Sequence, residues 1–351
     1  MLGGGHGGHA MAADLALAGF DVRLYEAPEF VEEFKPVIES GEIEITGAAR
    51  TGVARLDEVT TDIEVAVEEA DVINVVVPAF AHETFYTRLA PHLQDGQVVV
   101  THNGAFGSLQ LAKILKDMGI DKDILIGDTA QLIYACRKKA PCKVNVSGVK
   151  SVVTFSTLPA SNTGSALKAI NRLYPGFIAA TNILETGLEN LQYIFHPTIM
   201  LLNAGRVPKG FLFYAEGVTP SISRVMEELD NERIAVEKAL GLKATSAKEW
   251  LNRSYGSSGT DLYETIQGTK SYRKSLAPTS FKFRYITEDV PYGLVPLASL
   301  GKLLSIPTPI ANALVRIASI INNVDYWHEG LTLEKLGLAR KSLQRIKELV
   351  S

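Results

Sequence analysis

Of the seven histidines in the chain, one stands in surroundings suited to proton transfer. His196 lies in Asn190-Leu191-Gln192-Tyr193-Ile194-Phe195-His196-Pro197, a largely apolar stretch followed by Asn203-Ala204-Gly205-Arg206. An imidazole titrates near neutrality and can give or take a proton there. The plainer reading is a core histidine satisfied inside an apolar helix. Pro197 weighs against it, because a proline interrupts helical hydrogen bonding and opens room beside its neighbour. The other six offer less. His6 and His9 sit in a glycine-rich stretch, where polar loop and first-turn positions are a better reading than a metal site. His82 and His92 surround a helix after Pro78 and are expected to be solvated. His102 follows a strand end, and His328 belongs to a polar C-terminal segment.

The second chemical feature is Gly3-Gly4-Gly5-His6-Gly7-Gly8, which satisfies G-x-G-x-x-G. Alone the pattern is weak, but its context is complete. His9 to Ala18 reads as an Ala-rich helix stopped by Gly19, and Asp21 to Glu26 as a strand. That strand ends in Glu26, 18 positions after Gly8. Strand, glycine turn, helix and terminal acid form a dinucleotide-binding arrangement, with Gly3, Gly5, His6 and Gly8 near the phosphates. A carboxylate at Glu26 accepts hydrogen bonds from a free 2′-hydroxyl and repels a 2′-phosphate. NAD is therefore favoured over NADP, with Arg23 able to blunt the preference.

Further elements must carry these groups. Asp71 to Pro78, Gln97 to Thr101, Ile124 to Gly127 and Ser151 to Phe155 read as strands alternating with helical stretches. Their ends would place Pro78, Asn103 and Asp128-Thr129 along the carboxyl edge of a parallel sheet, where ligands bind in such folds. Asn103-Gly104 suits backbone approach to the nicotinamide side, or is an ordinary turn pair. After about residue 180 strand patterns stop. Helical periodicity takes over at Gly187 to Leu202, Ile222 to Leu240, Ala247 to Trp250, Thr308 to Ile321 and Leu333 to Val350. The fold class expected is α/β: an N-terminal Rossmann domain with a doubly wound, mostly parallel sheet at residues 1–181, then an all-α domain at residues 182–351. Two domains also suit 351 residues.

Composition sets the outer bounds. Lys and Arg (35) nearly balance Asp and Glu (39), leaving a net charge of −4 and no footprint for nucleic acid. Two cysteines, Cys136 and Cys142, cannot build a disulfide framework and suit a reducing cytoplasm. The apolar run around Val75 to Ala81 is too short to span a bilayer, so no membrane partner is expected. Leu297 to Ile321 is apolar enough for core or for a homodimer interface. Only Met1 and Leu2 precede Gly3. The first strand of a dinucleotide fold is therefore expected to be cut short, with the natural chain beginning earlier.

Glu189 to Arg206 (ENLQYIFHPTIMLLNAGR) resembles the histidine motif of the opine dehydrogenases, the octopine and nopaline dehydrogenase family, and Arg284 to Leu300 (RYITEDVPYGLVPLASL) resembles its acidic motif. Glu216 to Ser221, Tyr255-Gly256 and Ser305 to Pro309 agree as well. The resemblance implies a reductive condensation: an amino acid and a 2-keto acid such as pyruvate form an imine, which takes a hydride from NAD(P)H. It makes His196 the catalytic histidine, Asp289 its acidic partner, Arg284 a holder of a substrate carboxylate and Thr129 a substrate contact. The family often has Asn where this chain has His6. A carboxylate on one ring nitrogen would fix the tautomer of His196 and raise its basicity. Glu288 rivals Asp289 for that place, and spacing does not choose between them. Arg137, Arg206 and Arg253 are weaker candidates for a second carboxylate, and Trp250, Tyr255, Tyr263 and Tyr272 for the amino-acid pocket. Two other readings stand beside this one: a ketopantoate-type reductase acting on a keto acid alone, and a dinucleotide-binding sensor without catalysis.

Overall fold

The computed structural model describes residues 1–351 as two compact units, Met1–Gly187 with Leu349–Ser351, and Leu188–Glu348. The change from strand to helical pattern places the boundary slightly earlier, at Thr181-Asn182.

The first unit runs α1 (His6–Leu17), β1 (Arg23–Tyr25), α2 (Val31–Ser40), β2 (Glu42–Gly47), β3 (Gly52–Arg55), β4 (Glu58–Thr60), α3 (Ile63–Val67), β5 (Val72–Val75) and α4 (His82–Leu89). It continues with β6 (Val98–Thr101), α5 (Gly107–Asp117), β7 (Leu125–Thr129), β8 (Tyr134–Ala140), β9 (Lys143–Val149), β10 (Val153–Leu158), α6 (Thr163–Leu173), β11 (Phe177–Ala179) and α7 (Ile183–Leu188). Strands β5, β6 and β7 pair in parallel. β10 joins β7 antiparallel and pairs β11 in parallel. On the other flank β1 pairs β4 in parallel. Leu2 alone bridges the two flanks, pairing Tyr25 on one side and Val75 on the other. Its amide donates to Asn74 O (2.8 Å) and its carbonyl accepts from Val76 N–H (2.8 Å). Leu2, wholly buried, thus completes a Rossmann sheet.

The unit also holds a second sheet, in the order β3-β2-β9-β8, which the strand pattern of the sequence does not include. Ile43 and Ile45 of β2 and Val144 and Val146 of β9 point inward at alternate positions, the period of a half-buried strand. Long buried runs mark the central parallel strands, and this weaker alternation is easily passed over beside them. His82 corrects a second expectation. It is wholly buried rather than solvated, and burial pushes its pKa down to about 4.

The second unit is helical: α8 (Gln192–Leu202), α9 (Pro220–Leu240), α10 (Ala247–Tyr255), α11 (Leu262–Gly268), α12 (Arg284–Thr287), α13 (Val295–Leu304), α14 (Pro309–Asn322), α15 (Tyr326–Glu329) and α16 (Leu343–Val350). Its organiser is the 21-residue α9. Arg233, 1% exposed, bonds Asp230 (2.6 Å) and Glu237 (2.6 Å) on its own helix. Asp230 also accepts from Ala247 N–H (2.7 Å) at the start of α10. Glu232 accepts from Ile310 and Ala311 N–H (2.6 and 3.0 Å) in the first turn of α14. Removing one partner from such a buried cluster leaves an uncompensated charge, costing about 3–5 kcal/mol. No helix is long and apolar enough to cross a membrane.

On β7, Asp128 is wholly buried and accepts both the N–H and the hydroxyl of Ser108 at the start of α5. Burial pushes its carboxyl up to about 7. A carboxyl whose folded pKa lies above its unfolded value of about 3.9 stabilises the fold while protonated, and that stability is lost as pH rises through about 7. His9, His82 and His102 have depressed values and act in the opposite direction. The measurement is therefore the Tm of the wild-type chain minus that of Asp128→Asn. It should be largest at low pH and shrink toward neutrality; a difference constant with pH would exclude a buried, titrating Asp128.

Candidate active site

Helix α8 carries His196 inward, with 6% of the residue exposed. Nδ1 meets Asp289 Oδ2 at 2.7 Å. Asp289 follows the single turn α12 and leads into a π-helical turn at Val290–Leu294, which runs on into α13. A π turn adds a residue to the helical repeat and re-aims the side chains at its start. Gly293 lets this segment approach α8 closely, because a Cβ there would stand 2.4 Å from Cβ of Tyr193. Spacing left Glu288 and Asp289 equal; the structure pairs Asp289 with the imidazole and sets Glu288 Oε2 3.9 Å from Arg284 Nε. Arg284 is about half exposed on α12, with its guanidinium oriented by that longer contact.

The imidazole is held on its faces as well. Tyr285 stacks on it at 3.7 Å between centroids, and Phe213 lies 5.7 Å away. Tyr214 brings its hydroxyl to 3.4 Å from Nε2 and stacks on Tyr272 at 3.8 Å. Tyr255 and Trp250 continue the aromatic wall, whereas Tyr263 stays outside it. Sequence reading missed Tyr214 and Tyr285. Tyr285 was signalled by adjacency to Arg284, but Tyr214 sits in an irregular segment with no periodicity to give it away. Two of the spare arginines are engaged elsewhere: Arg206 with Glu216 (2.9 Å) and Arg253 with Glu189. Arg137 is exposed on β8. A separate cleft of about 790 Å³, lined by Lys302, Ile306, Trp327 and Glu334 among others, includes none of these groups.

In the first unit Gly3 and Gly8 are required by close backbone approach. Gly3 has φ +107° and a Cβ there would meet Val76 O at 2.7 Å; a Cβ on Gly8 would fall 1.7 Å from Gly3 O. Gly5, exposed with open space where a Cβ would stand, precedes α1, whose first turn no side chain caps. That bare helix start fits a pyrophosphate. Glu26 accepts from Gly4 N–H and Ala27 N–H, both at 2.8 Å, and each oxygen keeps a lone pair for a ribose hydroxyl. The residues present therefore fit a dinucleotide. His6 Nδ1 accepts from Lys138 N–H (3.1 Å), so this ring also tethers strand β8 to the loop. His9 is buried rather than a polar first-turn residue, its ring nitrogens facing Gly5 O (3.1 Å) and Pro141 O (2.9 Å).

At the carboxyl edge Pro78 follows β5 and accepts from Ala81 N–H (2.9 Å). Asn103, Ala105 and Phe106 all take left-handed conformations, with φ of 60°, 38° and 61°. Three such non-glycine residues in four carry backbone strain of the kind that clusters at ligand sites. Thr129 holds this turn from within. Its hydroxyl accepts from Asn103 N–H (3.1 Å) and donates to Gln131 O (2.9 Å), while its carbonyl takes Gly104 N–H (2.8 Å). Thr129 is wholly buried, so the side chain expected to touch substrate serves the Asn103 turn here.

Comparison with known proteins agrees along the chain's length. A profile described as NAD/NADP octopine/nopaline dehydrogenase, alpha-helical domain, matches residues 179–322. An opine dehydrogenase of Arthrobacter sp. (strain 1C) is 39% identical over 353 residues, covering 100% of this chain and 98% of that protein. Octopine dehydrogenase of Pecten maximus is 26% identical, covering 93% and 91%. A solved octopine dehydrogenase with NADH and L-arginine superposes with a TM-score of 0.83 at 25% identity, over 98% of this chain and 96% of that one. With full-length identity of this order, the chain belongs to the NAD/NADP octopine/nopaline dehydrogenase family.

Proposed function

We propose that this chain catalyses the NAD(P)H-dependent reductive condensation of an amino acid with a 2-keto acid such as pyruvate. The product is a secondary amine dicarboxylate. The observation that carries this reading is the buried His196–Asp289 pair at 2.7 Å. Asp289 accepts a hydrogen bond from Nδ1–H and stabilises the imidazolium, which leaves Nε2 to exchange a proton with the substrate. Tyr285 and Phe213 keep water from the faces of the ring. Arg284, on the same helical turn as Tyr285, offers a planar fork for a substrate carboxylate in place of its loose contact with Glu288.

The first unit is the dinucleotide-binding one, with Gly3, Gly5, Gly8 and His6 at the phosphates, Glu26 at the ribose, and Pro78, Asn103 and Thr129 shaping the nicotinamide and substrate side. Bound as NADH, or as NADPH in second place, the cofactor would supply the hydride and leave as NAD+ or NADP+. Support comes from octopine dehydrogenase, solved with NADH and L-arginine and with pyruvate. A cytoplasmic setting fits the free thiols of Cys136 and Cys142. A homodimer would cover the outward Ile317, Ile320 and Ile321 of α14.

NADH oxidation with pyruvate should require an added amino acid. Full turnover with a keto acid alone would favour a ketopantoate-type reductase, and cofactor binding without turnover on any pair would favour a sensor. His196→Ala should lower turnover at least about a hundredfold while the cofactor still binds; unchanged turnover would remove His196 from the mechanism. Asp289→Asn should cost about 10- to 100-fold, as loss of an orienting partner does, and wild-type rates in that variant would show the pair to be structural. Glu26→Ser should move the NADH/NADPH preference toward NADPH, and an unmoved ratio would mean that Glu26 does not reach the ribose.

A further inference from the structure

Two opposite charges from different strands converge on Gly4. Its N–H donates to Glu26 Oε2 (2.8 Å) just beyond β1, and its carbonyl accepts from Lys138 Nζ (3.3 Å) on β8. The amide nitrogen and carbonyl oxygen of one residue lie only about 3 to 4 Å apart at standard backbone dimensions. Carboxylate and ammonium therefore flank the same residue of the glycine loop, each within the other's electrostatic reach. Lys138 does not arrive there as a loose surface side chain. Its own N–H donates to His6 Nδ1 (3.1 Å), and the thiol of Cys136, two residues earlier, donates to His6 O (3.3 Å). Main chain and thiol together hold β8 against the loop.

The partner that Lys138 now has is a poor one. A peptide carbonyl is neutral, whereas a phosphate oxygen would add a full opposite charge to the hydrogen bond. The ammonium is half-buried; burial lowers its pKa, and the nearby Glu26 and Glu33 carboxylates and Cys142 oppose that shift. Arg23, the cation that sequence reading offered as a counterweight to Glu26, is committed to Val65 O (2.8 Å) and Glu68 O (2.7 Å). The counterweight is supplied from the second sheet instead.

We infer that Lys138 is a cofactor-specificity residue, the group that admits a 2′-phosphate beside Glu26 and so lets the site take NADP as well as NAD. The inference rests on the dinucleotide site proposed above. It is tested by calorimetric titration of the full chain with ADP-ribose and with 2′-phospho-ADP-ribose, for the wild type, Lys138→Met and Lys138→Arg. Lys138→Met should weaken the phosphorylated ligand about tenfold, equivalent to one charge-assisted contact, and change ADP-ribose affinity less than about twofold. Lys138→Arg should restore binding of the phosphorylated ligand. Equal weakening of both ligands would place Lys138 at the pyrophosphate and overturn the inference, as would no change in either. Failure of the wild-type chain to bind ADP-ribose at all would remove the dinucleotide site, and this role with it.

Discussion

A carboxylate and an imidazole, 93 residues apart in sequence and more than nine-tenths buried, meet at 2.7 Å in the helical unit. Burying either alone would be costly, since a charge or an unpaired polar group removed from water keeps no compensation. The pair is therefore possible only if α8 and the α12–α13 segment are brought together accurately. Much of the surrounding structure meets that demand. Gly293 removes the side chain that would hold the segments apart, the π turn aims Asp289 at the ring, and Tyr285 fills the face of the imidazole. The buried charges of α9 brace α10 and α14 in the same unit. Rigidity of this kind suits the proton exchange proposed for His196, because a proton is transferred efficiently only along a short, oriented path.

The glycine loop obeys the opposite logic. There the constraint is space: backbone passes so close to backbone that no side chain fits at Gly3 or Gly8. What that closeness achieves is an open helix start with its amides undisguised by any cap, a place where negative charge is welcome.

Much of this was legible in the residues. The central strands are continuous apolar runs, the glycine spacing is explicit, and His196 beside Pro197 stands out from its apolar neighbours. Sequence gave weaker access to anything decided by three-dimensional aim. Glu288 and Asp289 are adjacent and chemically alike, and only the path of one short helix into a π turn separates their directions. The family resemblance makes Thr129 a substrate contact, and its strand-end position does not show that its hydroxyl turns inward to hold Asn103. His9 and His82 looked polar because histidine usually is, and both are buried. The second sheet joins β2 to β9 across about a hundred residues, by a pairing that no local window contains.

The tether between β8 and the glycine loop couples two parts of the first unit that are otherwise built independently. β8 belongs to a sheet whose far edge is β3, and the loop belongs to the other sheet. Through His6, Cys136 and Lys138 the order of one is linked to the order of the other. Linkage is reciprocal, so free energy gained at the loop on occupancy appears as added protection of the hairpin, and loosening of the hairpin returns as lost affinity. Affinity for the dinucleotide is in that sense a property of the whole unit, open to drift through residues that never touch the ligand.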